Sequence, residues 1–293
     1  MSTFVHEEIE SQPACWSRAA EIGSAGAAGL PEPGEAVAVV GCGTSWFMAM
    51  AYSSLREAAG QGRTDAFTAS EMPTGRDYDR VLAITRSGTT TEVVRLLAES
   101  TGTPSTVITA ATDGPALAAA DQGIHLPFVD ERSVVQTRFA TSTLALLRAH
   151  LGESLERVVD DGGRALELDL QPYLDADQVT FLGSGWTIGL AHEAALKTRE
   201  AAQFWAESYP AMDYRHGPIS IAQPGRLVWS LGAGPTDLEQ DVTATGATWV
   251  GHDLDPLAGL VVAQRFAVAL AGRRGLDPDR PRHLTRAVVL DNA

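Results

Sequence analysis

The sequence predicts an α/β protein whose parallel sheets are covered by helices on both faces. Hydrophobic runs of strand length alternate with amphipathic stretches of helix length along the whole chain, a pattern typical of βαβ units. The predicted strands include residues 36–40, 81–85, 105–109 and 179–182. Apolar residues at spacings of three and four predict helices at residues 44–58, 90–100, 142–159, 187–206 and 256–271.

An internal repeat divides the chain into two halves. Residues 36–55 and 178–196 both read as a strand, a Gly-x-Gly turn and a helix that begins with small residues. The Asp-Asp-Gly-Gly run at 160–163 interrupts the helical pattern between them. We therefore predict a first domain at residues 1–160, with an N-terminal helical arm, and a second at residues 161–293, with a C-terminal tail.

Composition excludes several classes of function. The 293 residues carry a formal net charge of −15, which repels nucleic acid and anionic membranes. No apolar run is long enough to span a bilayer, and the acidic start does not resemble a secretory signal. Cys15 and Cys42 have no metal-ligand spacing. We expect a cytoplasmic protein with no metal, cofactor, nucleic-acid or membrane partner.

A glycine turn, residues 41–45, leaves the first predicted strand and enters a helix. Backbone amides and the helix dipole can hold an anion at such a turn. Dinucleotide binding would need a third glycine where Trp46 stands, and no acidic ribose ligand follows at the usual distance. The turn therefore favours a smaller anion, although one Gly-x-Gly turn alone is weak evidence.

A second candidate phosphate site is the hydroxyl-rich loop at residues 85–91, which links a strand to the helix that begins near Glu92. Serine and threonine hydroxyls, together with main-chain amides, can bind phosphate oxygens without any basic side chain. The alternative is an ordinary helix cap, since these residue types are favoured at helix starts.

Three charged residues share one face of the predicted helix that contains residues 192–200. Glu193, Lys197 and Glu200 are spaced by four and three positions, so their side chains are neighbours. Two carboxylates around an ammonium suit proton transfer at carbon. The alternative is a solvated face with an ordinary ion pair, but Lys197 is the only lysine among 22 basic residues. Nearby, a Gly-Pro turn follows His216 and places a titratable imidazole on a loop.

Together these segments resemble the sugar isomerase (SIS) family, in particular the isomerase domain of glucosamine-6-phosphate synthase and the SIS aminosugar-phosphate isomerases and deaminases. The matching motifs extend over nearly the whole chain: GCGTS, TRSGTT, ERSVVQTRFATS, HEAALKTRE, ESYPAMDYRHGP and DPDRPRHLT. The resemblance implies two flavodoxin-like SIS subdomains, each a mostly parallel sheet covered by helices in an α-β-α sandwich. It also implies a homodimer with shared active sites and a small phosphorylated sugar as ligand.

The same resemblance assigns roles to individual residues. Glu200 would move the proton between C1 and C2, with Glu193 and Lys197 beside it, and His216 of a neighbouring subunit would open the sugar ring. The expected substrate-binding residues are Gly43 and Thr44 in the turn, Ser45, Thr85, Ser87 and Thr90 at the phosphate, and Val135 and Gln136 along the sugar.

One departure from the family pattern lies in the C-terminal tail, where Arg286 stands in place of a lysine that forms a Schiff base in the synthase. Arginine stays protonated and cannot form an imine. We also expect no glutamine-hydrolysing domain. The predicted function is therefore a phosphosugar isomerase or aminosugar-phosphate deaminase that acts by proton transfer on the open-chain sugar. The alternative is a regulatory protein that binds a phosphosugar without catalysis.

Overall fold

A computed structural model describes residues 3–290. Its helices are α1 (Phe4–Glu10), α2 (Gln12–Ser24), α3 (Thr44–Ala58), α4 (Thr91–Glu99), α5 (Pro115–Ala119), α6 (Arg138–His150), α7 (Glu156–Glu167), α8 (Thr187–Ala202), α9 (Leu238–Ala244) and α10 (Pro256–Arg273). Its strands are β1 (Val37–Gly41), β2 (Thr64–Thr68), β3 (Arg80–Ile84), β4 (Ser105–Thr109), β5 (Gln122–His125), β6 (Gln178–Gly183), β7 (Ala206–Pro210), β8 (Arg226–Leu231) and β9 (Thr248–Val250).

The chain forms two compact units, which are defined by the contacts among their residues. Within the described range, the first unit comprises residues 14–131, 138–155 and 285–290, and the second comprises residues 3–13, 132–137 and 156–284. Short segments are therefore exchanged between the two halves of the sequence. The predicted boundary at residues 160 and 161 lies inside α7, and the two-domain division stays a prediction.

The first unit contains a five-stranded sheet with the order β2-β1-β3-β4-β5, and all of its strand pairs are parallel. Every residue of β1 and β4 is buried, because the strands of a parallel sheet are covered on both faces. The order reverses between β1 and β3, which is the doubly wound pattern that places ligands at the carboxyl ends of those two strands.

The second unit repeats this plan on four strands. Its sheet has the order β7-β6-β8-β9, again fully parallel. The central strand β6 is buried along its whole length, and α8 and α10 pack against each other in the same unit. The predicted α/β fold class, with two parallel sheets covered by helices, is confirmed.

Two predicted helices differ from the observed ones. The stretch at residues 142–159 is two helices, because Gly152 adopts a φ of 90° between α6 and α7, a left-handed conformation that ends a helix. The predicted helix at residues 187–206 ends at Ala202, where Gln203 has a φ of 49°, and the chain then enters β7. Within residues 3–290, no helix is both long and apolar enough to cross a membrane.

Candidate active site

The turn after β1 requires glycine for close approach to α3. A Cβ atom on Gly41 would lie 2.7 Å from the backbone carbonyl carbon of Ser45, so any larger residue would push the helix start away. Gly43 has a φ of 55° and stands at the N-cap of α3 without a side chain to cap it. Thr44 and Ser45 follow in the first turn and are buried. The beginning of α3 therefore presents backbone and small hydroxyl groups.

Cys42, the one thiol in this turn, is half-buried. Burial raises the pKa of the Cys42 thiol, and the negative charge of Glu92 raises it further. A hydrogen bond from the Ala69 backbone acts in the opposite direction and lowers it. A thiol held in its neutral form is a poor nucleophile. The turn is therefore suited to holding an anion and poorly suited to covalent catalysis.

The loop after β3 folds back on its own hydroxyl groups. Ser87 Oγ accepts hydrogen bonds from the backbone amide of Thr89 at 3.2 Å and from its hydroxyl at 3.1 Å. Gly88 has a φ of 67°, and its carbonyl accepts a bond from the amide of Ala116. Thr90 is the N-cap of α4, but its side chain makes no capping hydrogen bond. The simple helix-cap interpretation therefore does not account for the Thr90 hydroxyl.

The two motifs meet at one edge of the first sheet. Strands β1 and β3 are hydrogen-bonded neighbours, with Val40 opposite Ala83, so the turn after Gly41 and the loop that begins at Thr85 leave adjacent strand ends. Helices α3 and α4 begin at these turns, and a helix N-terminus favours negative charge. This edge is the switch point of the sheet, where a phosphate would be expected from the topology alone.

A buried ion pair supports the loop after β3. Arg86 Nη1 lies 3.0 Å from Glu131 Oε2, and both side chains are at most 1% exposed. Glu131 Oε1 also accepts a bond from the amide of Phe139 at 3.3 Å. Because the pair is fully desolvated, its charges cancel locally, and Arg86 acts as a fixed anchor within the hydroxyl-rich loop.

The C-terminal tail lies against the same loop. The carbonyl of Arg286 accepts a bond from Arg86 Nη2 at 3.0 Å, and the Arg286 guanidinium forms an ion pair with Asp130. The amide of Thr91, at the start of α4, donates to the carbonyl of Val288 at 3.1 Å. A crevice of about 490 Å³ remains between the tail and the ends of β3 and β4. The tail therefore lines this crevice, and one of its carbonyl groups accepts the hydrogen bond of a backbone amide at the start of α4.

The second unit holds the acid–base cluster on α8. Lys197 Nζ lies 3.6 Å from Glu193 Oε1 and makes a shorter contact with Glu200 Oε2. The Glu193 side chain is fully buried and that of Lys197 is 2% exposed, whereas that of Glu200 is 17% exposed. The structure therefore brings the three predicted residues together, and the solvated-face alternative is wrong for Glu193 and Lys197. Only the Glu200 carboxylate reaches solvent.

The remaining predicted residues of the second unit lie on loops. Val135 is buried, and its carbonyl accepts a bond from Ser133 Oγ at 2.8 Å. The side-chain oxygen of Gln136 is buried and has no hydrogen-bond partner among the described residues. His216 ends a short 3-10 turn (Asp213–His216) and is exposed. Gln136 and His216 therefore both retain hydrogen-bonding capacity.

Comparisons with known proteins match the fold over nearly the whole chain. A glucosamine-6-phosphate deaminase from Thermotoga maritima superposes with a TM-score of 0.80 at 26% identity, covering 98% of this chain and 100% of the other. The C-terminal domain of glucosamine-fructose-6-phosphate aminotransferase from Francisella tularensis gives a TM-score of 0.83 at 21% identity, covering 96% and 99%. The resemblance to the sugar isomerase (SIS) class is confirmed.

The curated relatives of this chain are longer proteins. A glutamine–fructose-6-phosphate aminotransferase (isomerizing) from Nostoc sp. is 26% identical over 88% of this chain but only 52% of its own length. This chain therefore spans about half the length of such relatives. No family model matches the chain.

The predicted site residues fall into two groups. The first unit contains the predicted phosphate residues and the tail arginine: Gly43, Thr44, Ser45, Thr85, Ser87, Thr90 and Arg286. The second unit contains the predicted sugar-lining and acid–base residues: Val135, Gln136, Glu193, Lys197, Glu200 and His216. Within each unit the structure supplies the local geometry described above.

Sequence reasoning missed the buried pair beside the predicted phosphate loop. Arg86 and Glu131 both stand inside motifs that carry the family resemblance, yet nothing in their 45-residue separation indicates that they touch. Asp130, the partner of Arg286, was missed for the same reason.

Proposed function

We propose that this chain is a sugar-phosphate isomerase or deaminase that moves a proton between C1 and C2 of an open-chain aminosugar 6-phosphate. The observation that carries the proposal is the cluster on α8, in which a buried ammonium lies between two carboxylates and one of these, Glu200, remains accessible. Support comes from the likeness to the Thermotoga maritima deaminase, whose name specifies glucosamine 6-phosphate.

We assign phosphate binding to the first unit. The N-termini of α3 and α4, with the hydroxyls of Ser45, Ser87 and Thr90, would donate to the phosphate oxygens. This arrangement suits a chain with a net charge of −15, because local dipoles and hydroxyls hold the anion while the surface as a whole repels it. Arg286 is already paired with Asp130, so we assign it hydrogen bonding at the crevice rim.

We assign proton transfer to Glu200. In its ionised form the carboxylate removes the C2 proton of the open-chain aldose, the C2–H electron pair forms a C1=C2 double bond, and the aldehyde oxygen takes a proton. Returning the proton from Glu200 to C1 then gives an imine when C2 carries an amine, or a ketone when it carries a hydroxyl. Water adds to the imine, ammonia leaves, and the ketose phosphate remains.

We assign Lys197 and Glu193 to the support of this step. Lys197 would position the Glu200 carboxylate through their short contact, and the buried Glu193 lies against the same side chain on the next turn of the helix. An arginine at position 197 would place a larger, planar guanidinium in a fully buried position. This packing is a physical reason for the single lysine of the sequence to stand at this position.

We assign ring opening to His216 of a neighbouring subunit, as the family resemblance implies. His216 is exposed within its own chain, so its imidazole is accessible to a partner. The homodimer with shared active sites and the cytoplasmic location stay predictions. Mixing an inactive Glu200→Gln protein with an inactive His216→Ala protein tests the shared site, because hybrid dimers would regain activity only if the two residues come from different subunits.

Solvent exchange at C2 tests the central assignment. We expect the wild-type protein to exchange the C2 hydrogen of glucosamine 6-phosphate with deuterium, and Glu200→Gln to lower the rate by about 10²–10⁴-fold, the usual contribution of a general base. Binding of the sugar phosphate should persist, because Glu200 is not assigned to the phosphate. The matched control is Glu167→Gln, which neutralises an exposed carboxylate at the end of α7.

Two outcomes would overturn the proposal. Exchange at the wild-type rate in Glu200→Gln would remove Glu200 from the proton path. Tight binding of sugar phosphates by the wild-type protein without any exchange or ammonia release would favour the regulatory alternative. Ammonia release without added glutamine separates deamination from simple isomerisation.

A further inference from the structure

The second unit contains a crevice that none of the proposed functional residues occupies. It lies at the carboxyl ends of β8 and β9 and has a volume of about 640 Å³, within the usual range of small-molecule sites. In strand order, β8 and β9 of the second sheet correspond to β3 and β4 of the first. The crevice is therefore the counterpart of the one that Arg286 lines in the first unit.

The wall of this crevice is the indole of Trp249, kept open by two glycines. A Cβ atom on Gly234 would lie 3.3 Å from the Trp249 ring, and one on Gly251 would also lie 3.3 Å from it. Both distances are tighter than ordinary van der Waals contact, so a side chain at either position would crowd the indole. A half-buried tryptophan between glycines presents a flat aromatic surface, which can stack on a sugar face or attract a cation.

The crevice is acidic, whereas its counterpart is lined by both arginines and aspartates. Asp237, Glu239 and Asp253 line it and are exposed, and no lysine or arginine is among the described residues that line it. Arg157 approaches Asp253 only at 3.9 Å, between side chains that are 76% and 98% exposed, a geometry that contributes little. The crevice therefore disfavours phosphate and other anions.

His252 adds a hydrogen-bonding group to the lining. Its ring packs against Trp229 and Tyr173, with centroid distances of 5.6 and 6.4 Å, and its Nε2 atom is buried without a hydrogen-bond partner among the described residues. Burial lowers the pKa of His252, so the imidazole is neutral at pH 7 and adds no positive charge. A buried polar atom of this kind gains free energy when a ligand supplies its partner.

The loop that forms the rim is held in place before any ligand binds. Arg215 donates to the carbonyl of Thr236 at 3.0 Å and pairs with Asp241 at 2.6 Å. Ser230 Oγ, at the end of β8, donates to the carbonyl of Gly232 at 2.9 Å. A fixed rim reduces the entropy that binding must overcome.

We propose that this crevice binds a small hydroxylated organic cation, with its protonated amine against the carboxylates and its apolar face on Trp249. A metal ion fits less well, because no group of three or more His, Cys, Asp or Glu side chains among the described residues could hold one. The site is separate from the proposed phosphate and proton-transfer residues and takes a ligand of opposite charge. The inference does not rest on the proposed function.

Titration with unphosphorylated glucosamine tests the proposal, with glucose as the matched neutral probe. The readout is the indole N–H signal of Trp249 in an NMR spectrum, assigned by its loss in Trp249→Phe. We expect a saturable shift with glucosamine, at least fivefold weaker binding of glucose, and at least fivefold weaker glucosamine binding in Asp237→Asn/Asp253→Asn. Affinity should also fall at high salt.

Controls separate this site from the proposed active site. Glu167→Gln removes an exposed carboxylate elsewhere in the second unit and should leave glucosamine binding unchanged. Ser87→Ala/Thr90→Ala should also leave it unchanged, even if those substitutions abolish sugar-phosphate binding. A Trp249 signal that does not move, equal affinity for glucose and glucosamine, or binding that survives loss of both carboxylates would each overturn the proposal.

Discussion

Breaking the Arg86–Glu131 pair should destabilise the first unit strongly. The two charges are 3.0 Å apart and at most 1% exposed, which corresponds to an attraction of about 5–6 kcal/mol at an effective dielectric of about 20. Replacing one partner removes that attraction and leaves the other charge buried. We therefore expect Arg86→Met and Glu131→Gln each to lower the free energy of unfolding by about 3–5 kcal/mol.

A double-mutant cycle distinguishes the pair from two independent contacts. In Arg86→Met/Glu131→Gln no unpaired charge remains, so the loss should be smaller than the sum of the two single losses by about 2 kcal/mol or more. Urea unfolding followed by circular dichroism measures each value. The matched control is the exposed pair Arg95–Glu99, separated by 3.9 Å, where the same substitutions should cost less than about 1 kcal/mol.

Two results would contradict the role of the pair in holding the loop. Single losses below about 1 kcal/mol would mean that water or other groups compensate the buried charges. Additive losses in the double variant would mean that the two side chains stabilise the unit separately. Either result would remove Arg86 as the anchor of the hydroxyl-rich loop.

Three further predictions concern the site and its pH dependence. Ser87→Ala/Thr90→Ala should weaken sugar-phosphate binding by at least tenfold in calorimetry. The control Ser100→Ala, whose hydroxyl donates to the carbonyl of Leu96 within α4, should leave the affinity unchanged. Unchanged affinity in the double variant would contradict the phosphate assignment. Because Arg286 cannot form an imine, borohydride added during turnover should leave the protein mass unchanged, and an adduct on its single lysine would refute a noncovalent mechanism. Burial lowers the pKa of His192, so the unfolded chain binds a proton before the folded chain does as the pH falls below about 6.5, and the free energy of unfolding decreases. His192→Gln should reduce this decrease. An unaltered pH profile of the free energy of unfolding would contradict a contribution from His192.

The sequence predicted the fold well because its strongest signals are local. The runs of β1, β3, β4 and β6 are mostly apolar, and β1, β3 and β6 lead into a glycine or hydroxyl turn that marks the carboxyl edge of a parallel sheet. The acid–base cluster was also local, since its three members occupy successive turns of α8. These features depend on spacings of a few residues, which the sequence displays directly.

The missed features depend on distant pairings. The Arg86–Glu131 pair spans 45 positions and the Arg286–Asp130 pair spans 156, and no periodicity links residues so far apart. The single predicted helix at residues 142–159 failed for a different reason, because one glycine, Gly152, ended a pattern that remained amphipathic on both sides. Periodicity alone cannot show where such a break occurs.

The exchange of short segments between the two units has a consequence for synthesis of the chain. The carbonyl that Arg86 contacts in the tail belongs to a residue 200 positions later, and the Val288 partner of Thr91 is made later still. At about 5–20 residues per second, a ribosome needs roughly 10–40 s to add that stretch. During this time the nascent first unit can form its sheet, but the loop after β3 lacks its final anchors. This loop therefore reaches its native contacts only after the tail has been synthesised.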